Sequence, residues 1–245
     1  MHFSDIIKAV THHTDKSQRI HLLMELAGCK FDSHFPDIIV ESSVGIATIG
    51  GIPYNDISPE IANMLKTTMG NAGQMSYLAP NKHDGLGAYN TIAGMHGHTS
   101  IGHTISIGIF VAGVTCAVEN EWNSQRDHLH LSRITEARTA IQVSPPWVAL
   151  DPSMVSTTHH LRAHTLTVIK ELLNKQPKIS DIQYEQINNL HAACKATAFL
   201  ATGSLRNWQR VISARHDTGK EHEYRNTLQK IHALLSPHFP EFFAE

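Results

Sequence analysis

No run in this chain approaches the ~18 consecutive apolar residues of a membrane-spanning helix, so a membrane is not an expected partner. Charge of one sign is also missing: 20 Lys and Arg stand against 22 Asp and Glu, for a formal charge of −2. That balance lacks the basic footprint of a nucleic-acid binder, and a nucleic acid polymer is not expected either. Cysteine is scarce. Cys29, Cys116 and Cys194 are odd in number and far apart, which excludes a disulfide framework and makes a reducing cytoplasm the expected compartment. The opening Met1-His2-Phe3-Ser4-Asp5 lacks the basic-then-apolar pattern of a signal peptide. Gly-x-Gly-x-x-Gly, the phosphate loop and His-Glu-x-x-His are absent, and there is no internal repeat. What is present is a globular composition, 41% hydrophobic and 17% charged, in a chain of 245 residues that can bury a proper core. Histidine is the abundant exception, with 19 copies.

In chain order, helical spacing is expected over 5–10 and 16–27, with Gly28 as a stop. Residues 37–54 switch to short β-branched runs with Gly50-Gly51 as a turn, which predicts strands in a hairpin. Ser58 and Pro59 read as the cap and first position of a helix ending near Gly70. Residues 71–87 read as a loop, a lid or an insertion. A short helix is expected over 90–95, then a strand over 104–111 with Ile105, Ile107, Ile109 and Val111 on its buried face. A helix follows over 114–128. The last third reads as all helical: 154–174, then 180–202 from a capping box at Ser180, then 204–215, then a helix from a second capping box at Thr218 to Ser236. Phe239, Phe242 and Phe243 are expected to dock the tail. The fold class is therefore α/β (α+β): one domain over 1–245, a small mixed sheet with helices packed around it.

Three constellations carry chemistry. His98 and His103 flank the small-residue turn Thr99-Ser100-Ile101-Gly102, whose N–H groups and hydroxyls suit a phosphate or a flavin edge, or else are satisfied locally. Arg126, His128, His130, Arg133 and Arg138 crowd together with Asp127 and Glu136, either as an anion clamp or as a solvated face with local ion pairs. Arg206 and Arg210 lie four apart on one helix face, with Arg215 at its far end. The pair His160 and His164, and the dipeptide His216-Asp217, keep a metal in view, although no carboxylate completes a ligand set. Cys116 and Cys194 sit in apolar patterns that suit buried, inert thiols.

In these pieces the sequence resembles the flavin-dependent thymidylate synthase family. Gly97-His98-Thr99-Ser100 with His103 is similar to the family's Gly-His-x-Ser/Thr…Glu-His turn. The run 109–115 is similar to the passage before its signature Arg-His-Arg. Ser204-Leu205-Arg206 with Arg210 and Arg215, then Glu221-His222-Glu223 and the closing 238–243, are similar to its C-terminal helices. The likeness is strongest over 97–245. Departures are visible: the signature falls on Ser124-Gln125-Arg126, Gly102 stands where the family has Glu, and the family's helix asparagines fall on Ser204 and Arg210.

The resemblance implies a homotetramer with FAD between subunits, reduced by NADPH. It also implies a one-carbon unit from methylenetetrahydrofolate and a small-molecule uridine nucleotide, dUMP or UMP, methylated at C5. It places Glu121, Arg138 and Arg215 at the nucleotide, and His98, Thr99, Ser100, His103, Arg126, His128, Arg206 and Arg210 at the flavin. No residue is singled out as catalytic, since no enzyme nucleophile attacks the base in that chemistry. Two other readings stay open: a protein of the same fold that binds a nucleotide or flavin without methyl transfer, and a metal-dependent phosphohydrolase.

Overall fold

Helical spacing at the start of the chain gives α1 (Phe3–His12) and α2 (Arg19–Leu26), the latter ended by Gly28 at a φ of 88°. The β-branched run then divides between two sheets. Strand β1 (Lys30–Phe31) pairs antiparallel with β2 (Ile38–Glu41), while β3 (Ser43–Ile49) turns through Gly50 and Gly51, both at positive φ, into β4 (Ile52–Pro53). The expected hairpin is β3–β4; β2 belongs elsewhere. The computed structural model describes residues 3–14, 18–76, 78, 83–133, 144–175, 190–191 and 193–243.

Helix α3 (Pro59–Ser76) opens as expected, with Ser58 Oγ accepting from the Ile61 N–H at 3.3 Å. It continues past Gly70, where the sequence suggested a stop. Gly70 is needed for approach, not termination: a Cβ there would overlap the carbonyl of Gly85 in α4 (Gly85–Tyr89), the next helix. The expected loop over 71–87 is therefore helical at both ends, in α3 to Ser76 and in α4 from Gly85. Residues Asn90–Met95 form a π-helix and Thr99–Thr104 a 3₁₀ turn, leading into β5 (Ser106–Thr115).

Strand β5 is the middle of the larger sheet. Ile107, Ile109 and Val111 face the main core as their alternation predicts. The other face is not solvated, because Phe110 and Ala112 pack against α1 and α2 in a second core. After β5 come α5 (Cys116–Asn123), β6 (His130–Arg133), β7 (Trp147–Val148), α6 (Val155–Lys175) and β8 (Ala196–Ser204). The chain closes with α7 (Leu205–Ser213), α8 (His222–Leu235) and α9 (Pro240–Phe243). The five-stranded sheet has the order β4-β3-β5-β8-β6 with every pairing antiparallel; the three-stranded sheet, β1-β2-β7, is mixed because β2 and β7 run parallel. The mixed α+β class holds, spread over two sheets.

One expected helix, 180–202, ends in a strand. The stretch 196–204 reads as helical because alanine supplies three of its five apolar positions, yet it lies between β5 and β6 with small side chains facing helices on both sides. Residues 130–133 pair with it, His130 opposite Thr202. The expected helix over 114–128 is shorter, because β5 runs to Thr115 and α5 stops at Asn123. The expected Thr218 capping box is a turn instead, with the Gly219 N–H donating to Asp217 Oδ1 at 2.9 Å. The expected capping box at Ser180 lies outside the described residues. The tail docks as foreseen, with Phe239, Phe242 and Phe243 all buried.

Glu223 ties α8 to the sheet. It is buried, and Thr115 donates to it twice: backbone N–H to Oε1 at 2.8 Å and hydroxyl to Oε2 at 2.5 Å. Thr115 Oγ1 also accepts from the Val118 N–H at 3.2 Å, capping α5. Burial pushes the Glu223 carboxyl above its ordinary 4.5, and the Thr115 bonds offset part of the rise. A carboxyl raised in the folded state stabilises the fold fully below 4.5 and loses that contribution as pH climbs through its folded value. Urea unfolding should therefore show wild type losing stability relative to Glu223→Gln as pH rises above 4.5. Parallel curves for the two proteins would contradict this.

Candidate functional site

Strand β8 ends at Ser204 and α7 begins at the next residue, so the first turn of α7 emerges from an interior strand of the sheet, between β5 and β6. Ser204 caps it: its Oγ accepts from the Asn207 N–H at 3.1 Å. The same hydroxyl lies 3.1 Å from His103 Nδ1, which brings in the 99–104 turn. Arg206 extends that contact. Its Nη1 donates to Thr99 Oγ1 and to Gln209 Oε1, both neutral acceptors. On the opposite flank, Asn207 Nδ2 donates to the His128 carbonyl at 2.8 Å, and a Cβ on Gly203 would stand 2.9 Å from that same carbonyl. One helix terminus thus joins the 99–104 turn, the end of β8 and the 124–130 turn.

Of the expected flavin residues, the structure brings Thr99, His103 and Arg206 together through these bonds. Thr99 is buried, whereas His98, Ser100 and His103 are exposed on the same turn, with the His98 ring 6.1 Å from that of His96. Arg210 lies one turn beyond Arg206 and is exposed. Arg126 and His128 do not sit on a helix. They lie in the turn between α5 and β6, lining a cleft of about 430 Å³ together with Asn123, His130, Arg133 and Thr202. Asp127 is the one carboxylate among the lining residues. Arg133 is already engaged, with Nε 2.8 Å from Glu119 Oε1 and Nη2 on Asn123 Oδ1.

Of the expected nucleotide residues, Glu121 is half-buried on α5 and its Oε2 lies 3.1 Å from Lys220 Nζ. Arg215 is half-buried in the 3₁₀ turn Ala214–His216, where its Nη1 donates to the Ile212 carbonyl at 3.3 Å. Both α5 and this turn pack on α8, so Glu121 and Arg215 share one neighbour. Arg138 and Glu136 lie outside the described residues. Sequence reasoning passed over Asn207, Gln209 and Lys220. Asn207 carries a visible signal, a Ser-x-x-Asn spacing at a helix start, and Gln209 stands three residues after Arg206 on one face. Lys220 has no local signal, since its partner is 99 positions away.

Among the described residues no group of three or more His, Cys, Asp or Glu side chains comes together to hold a metal. Cys29 is buried against Gly113, and burial pushes its thiol up to about 11, the behaviour of a core residue. Among the described residues no helix is long and apolar enough to cross a membrane.

The fold of this chain is similar to that of solved flavin-dependent thymidylate synthases. Similar solved structures include thymidylate synthase X from Helicobacter pylori with FAD and dUMP, at 12% identity and a TM-score of 0.56, covering 83% of this chain and 97% of that one. Another is the UMP/dUMP methylase PolB from Streptomyces cacaoi bound with 5-Br dUMP, at 12% identity and a TM-score of 0.60, covering 84% and 94%. No protein-family model matches the chain, and no curated protein matches it in sequence.

The cap makes a direct prediction. Ser204→Ala should cost about 1 kcal/mol of stability, and Ser204→Asp should restore most of it, measured by urea unfolding. An Ala variant as stable as wild type would show that Ser204 does not hold the helix start.

Proposed function

We propose that this protein is a flavin-dependent enzyme that methylates a uridine nucleotide, dUMP or UMP, at C5. The observation that carries the reading is the Arg206 guanidinium. It is fixed by Thr99 and Gln209 at the start of α7, yet both partners are neutral, so its charge is kept for an anionic ligand. The donor set fits FAD: Arg126, His128, Arg206 and Arg210 present N–H groups suited to a diphosphate, and His98, Ser100 and His103 edge the turn beside them. The chemistry FAD supplies when bound is hydride transfer, taken up from NADPH and delivered to the one-carbon unit that methylenetetrahydrofolate contributes.

The chain's own residues have the binding and the electrostatics to provide. Arg215 and Arg138 suit the phosphate and carbonyl oxygens of a uridine nucleotide, and Glu121 suits a donor on the same ligand. Fixed cationic donors around the base favour negative charge developing at O4 as C5 reacts. Lys220, by pairing Glu121, holds that carboxylate at the end of α5. We further propose a homotetramer with the flavin between subunits. In support, Met64 and Met75 on α3 are 52% and 73% exposed and Met95 is 78% exposed, an apolar surface that self-association would cover. A second reading, binding without methyl transfer, is favoured by Ser124 and Gln125 in place of the first two signature residues.

Turnover decides between them. Protein loaded with FAD and given NADPH, methylenetetrahydrofolate and either dUMP or UMP should release a C5-methylated nucleotide. Binding of both ligands with no product selects the second reading. Arg215→Ala should abolish nucleotide binding in a calorimetric titration while FAD remains bound; unchanged nucleotide affinity would sink that assignment.

A further inference from the structure

Gly102 stands where the family that the sequence resembles carries a glutamate, and the fold supplies a steric reason for glycine there. A Cβ on residue 102 would overlap Phe242 Cε1 and would lie 3.0 Å from Phe242 Cζ and 3.2 Å from the Arg206 backbone nitrogen. The space a side chain of the turn would fill is occupied by the C-terminal segment. Backbone strain plays no part, since Gly102 is not among the residues at positive φ.

The segment is fixed from several sides. Gln209 Nε2 donates to the Phe242 carbonyl at 2.7 Å, and Gln209 Oε1 accepts from Arg206 Nη1, which also donates to Thr99. Tyr89 Oη donates to Glu241 Oε2 at 2.8 Å, and His232 Nε2 lies 3.1 Å from the Phe243 carbonyl. Phe242 itself is 2% exposed. The contacts close a ring: Thr99 to Arg206, Arg206 to Gln209, Gln209 to the Phe242 backbone, and the Phe242 aromatic ring onto Gly102, three residues from Thr99. Arg206 is the one cation in that ring. Its position and that of the 99–104 turn are therefore set jointly by the tail.

We propose that the C-terminal segment Pro240–Phe243 is a positioning element of the flavin site, with Phe242 seated on Gly102 and Gln209 transmitting its position to Arg206. This rests on the flavin reading above. The position that carries charge in the family the sequence resembles carries shape here, and Arg206 is held by the neutral Thr99 and Gln209. Neither Phe242 nor Gln209 touches the reacting atoms; both act through Arg206 and the turn.

Quenching of FAD fluorescence, with thermal melting alongside, tests this on the full chain. Gly102→Ala forces a methyl into the Phe242 ring, and Gln209→Leu removes both bonds while leaving the ring in place. Each should weaken FAD binding tenfold or more and still melt cooperatively. Adding Phe242→Leu to Gly102→Ala should recover affinity, because the smaller side chain makes room for the methyl. If Gly102→Ala does not fold, Gln209→Leu decides alone. Wild-type FAD affinity in Gln209→Leu overturns the proposal. Wild-type protein that takes up no FAD overturns the flavin reading along with it, so the two failures are told apart.

Discussion

The antiparallel pairing of β5 with β8 is the interaction on which the rest depends. Every residue of β5 from Ile107 onward is buried, and its two faces serve two different cores. Water cannot satisfy the backbone of such a strand, so the ladders to β8 and β3 must do so, and the one to β8 is the longer. The register runs from Ser106 opposite Ser204 to Thr115 opposite Ala196, interrupted once where Gly113 bulges at a φ of 71°. Both ends of that ladder matter. At one end Thr115 receives Glu223 and starts α5. At the other, Ser204 caps α7 and meets His103.

That geometry explains why the candidate site lies where it does. A helix leaving an interior strand has its first turn fixed by the sheet rather than by a loop. Arg206 and Asn207 occupy that turn and reach to opposite flanks, one to Thr99 and one to the His128 carbonyl. A flexible loop would lose side-chain entropy in ordering such donors on binding; here the cost is met in folding. The same logic places Phe242 under the 99–104 turn, where a buried ring holds a polar edge in place.

The amino-acid sequence showed some of this and hid the rest for identifiable reasons. Ser58-Pro59, Gly50-Gly51 and the alternation Ile107, Ile109, Val111 were legible because each acts through its immediate neighbours. Gly70 misled because its glycine serves contact with α4, and contact between helices has no local signature. The strand at 196–204 was missed because alanine reads as helical until two helices are known to cover it. Thr99, His103 and Arg206 were legible as chemistry from their order along the chain. Their meeting depends on pairings more than 100 positions apart, as does the seating of Phe242 on Gly102. Arg126 and His128 were legible as anion-binding candidates but not as residues of a turn, since β6 takes its conformation from β8.

The central claim, that the start of α7 holds a flavin, is tested most directly by the visible absorption spectrum after incubation with FAD and gel filtration. Wild type should retain a stoichiometric flavin band, and Arg206→Ala should lose it while melting like wild type apart from a small shift. A colourless wild type, or an Arg206→Ala variant as fully loaded as wild type, would contradict the account.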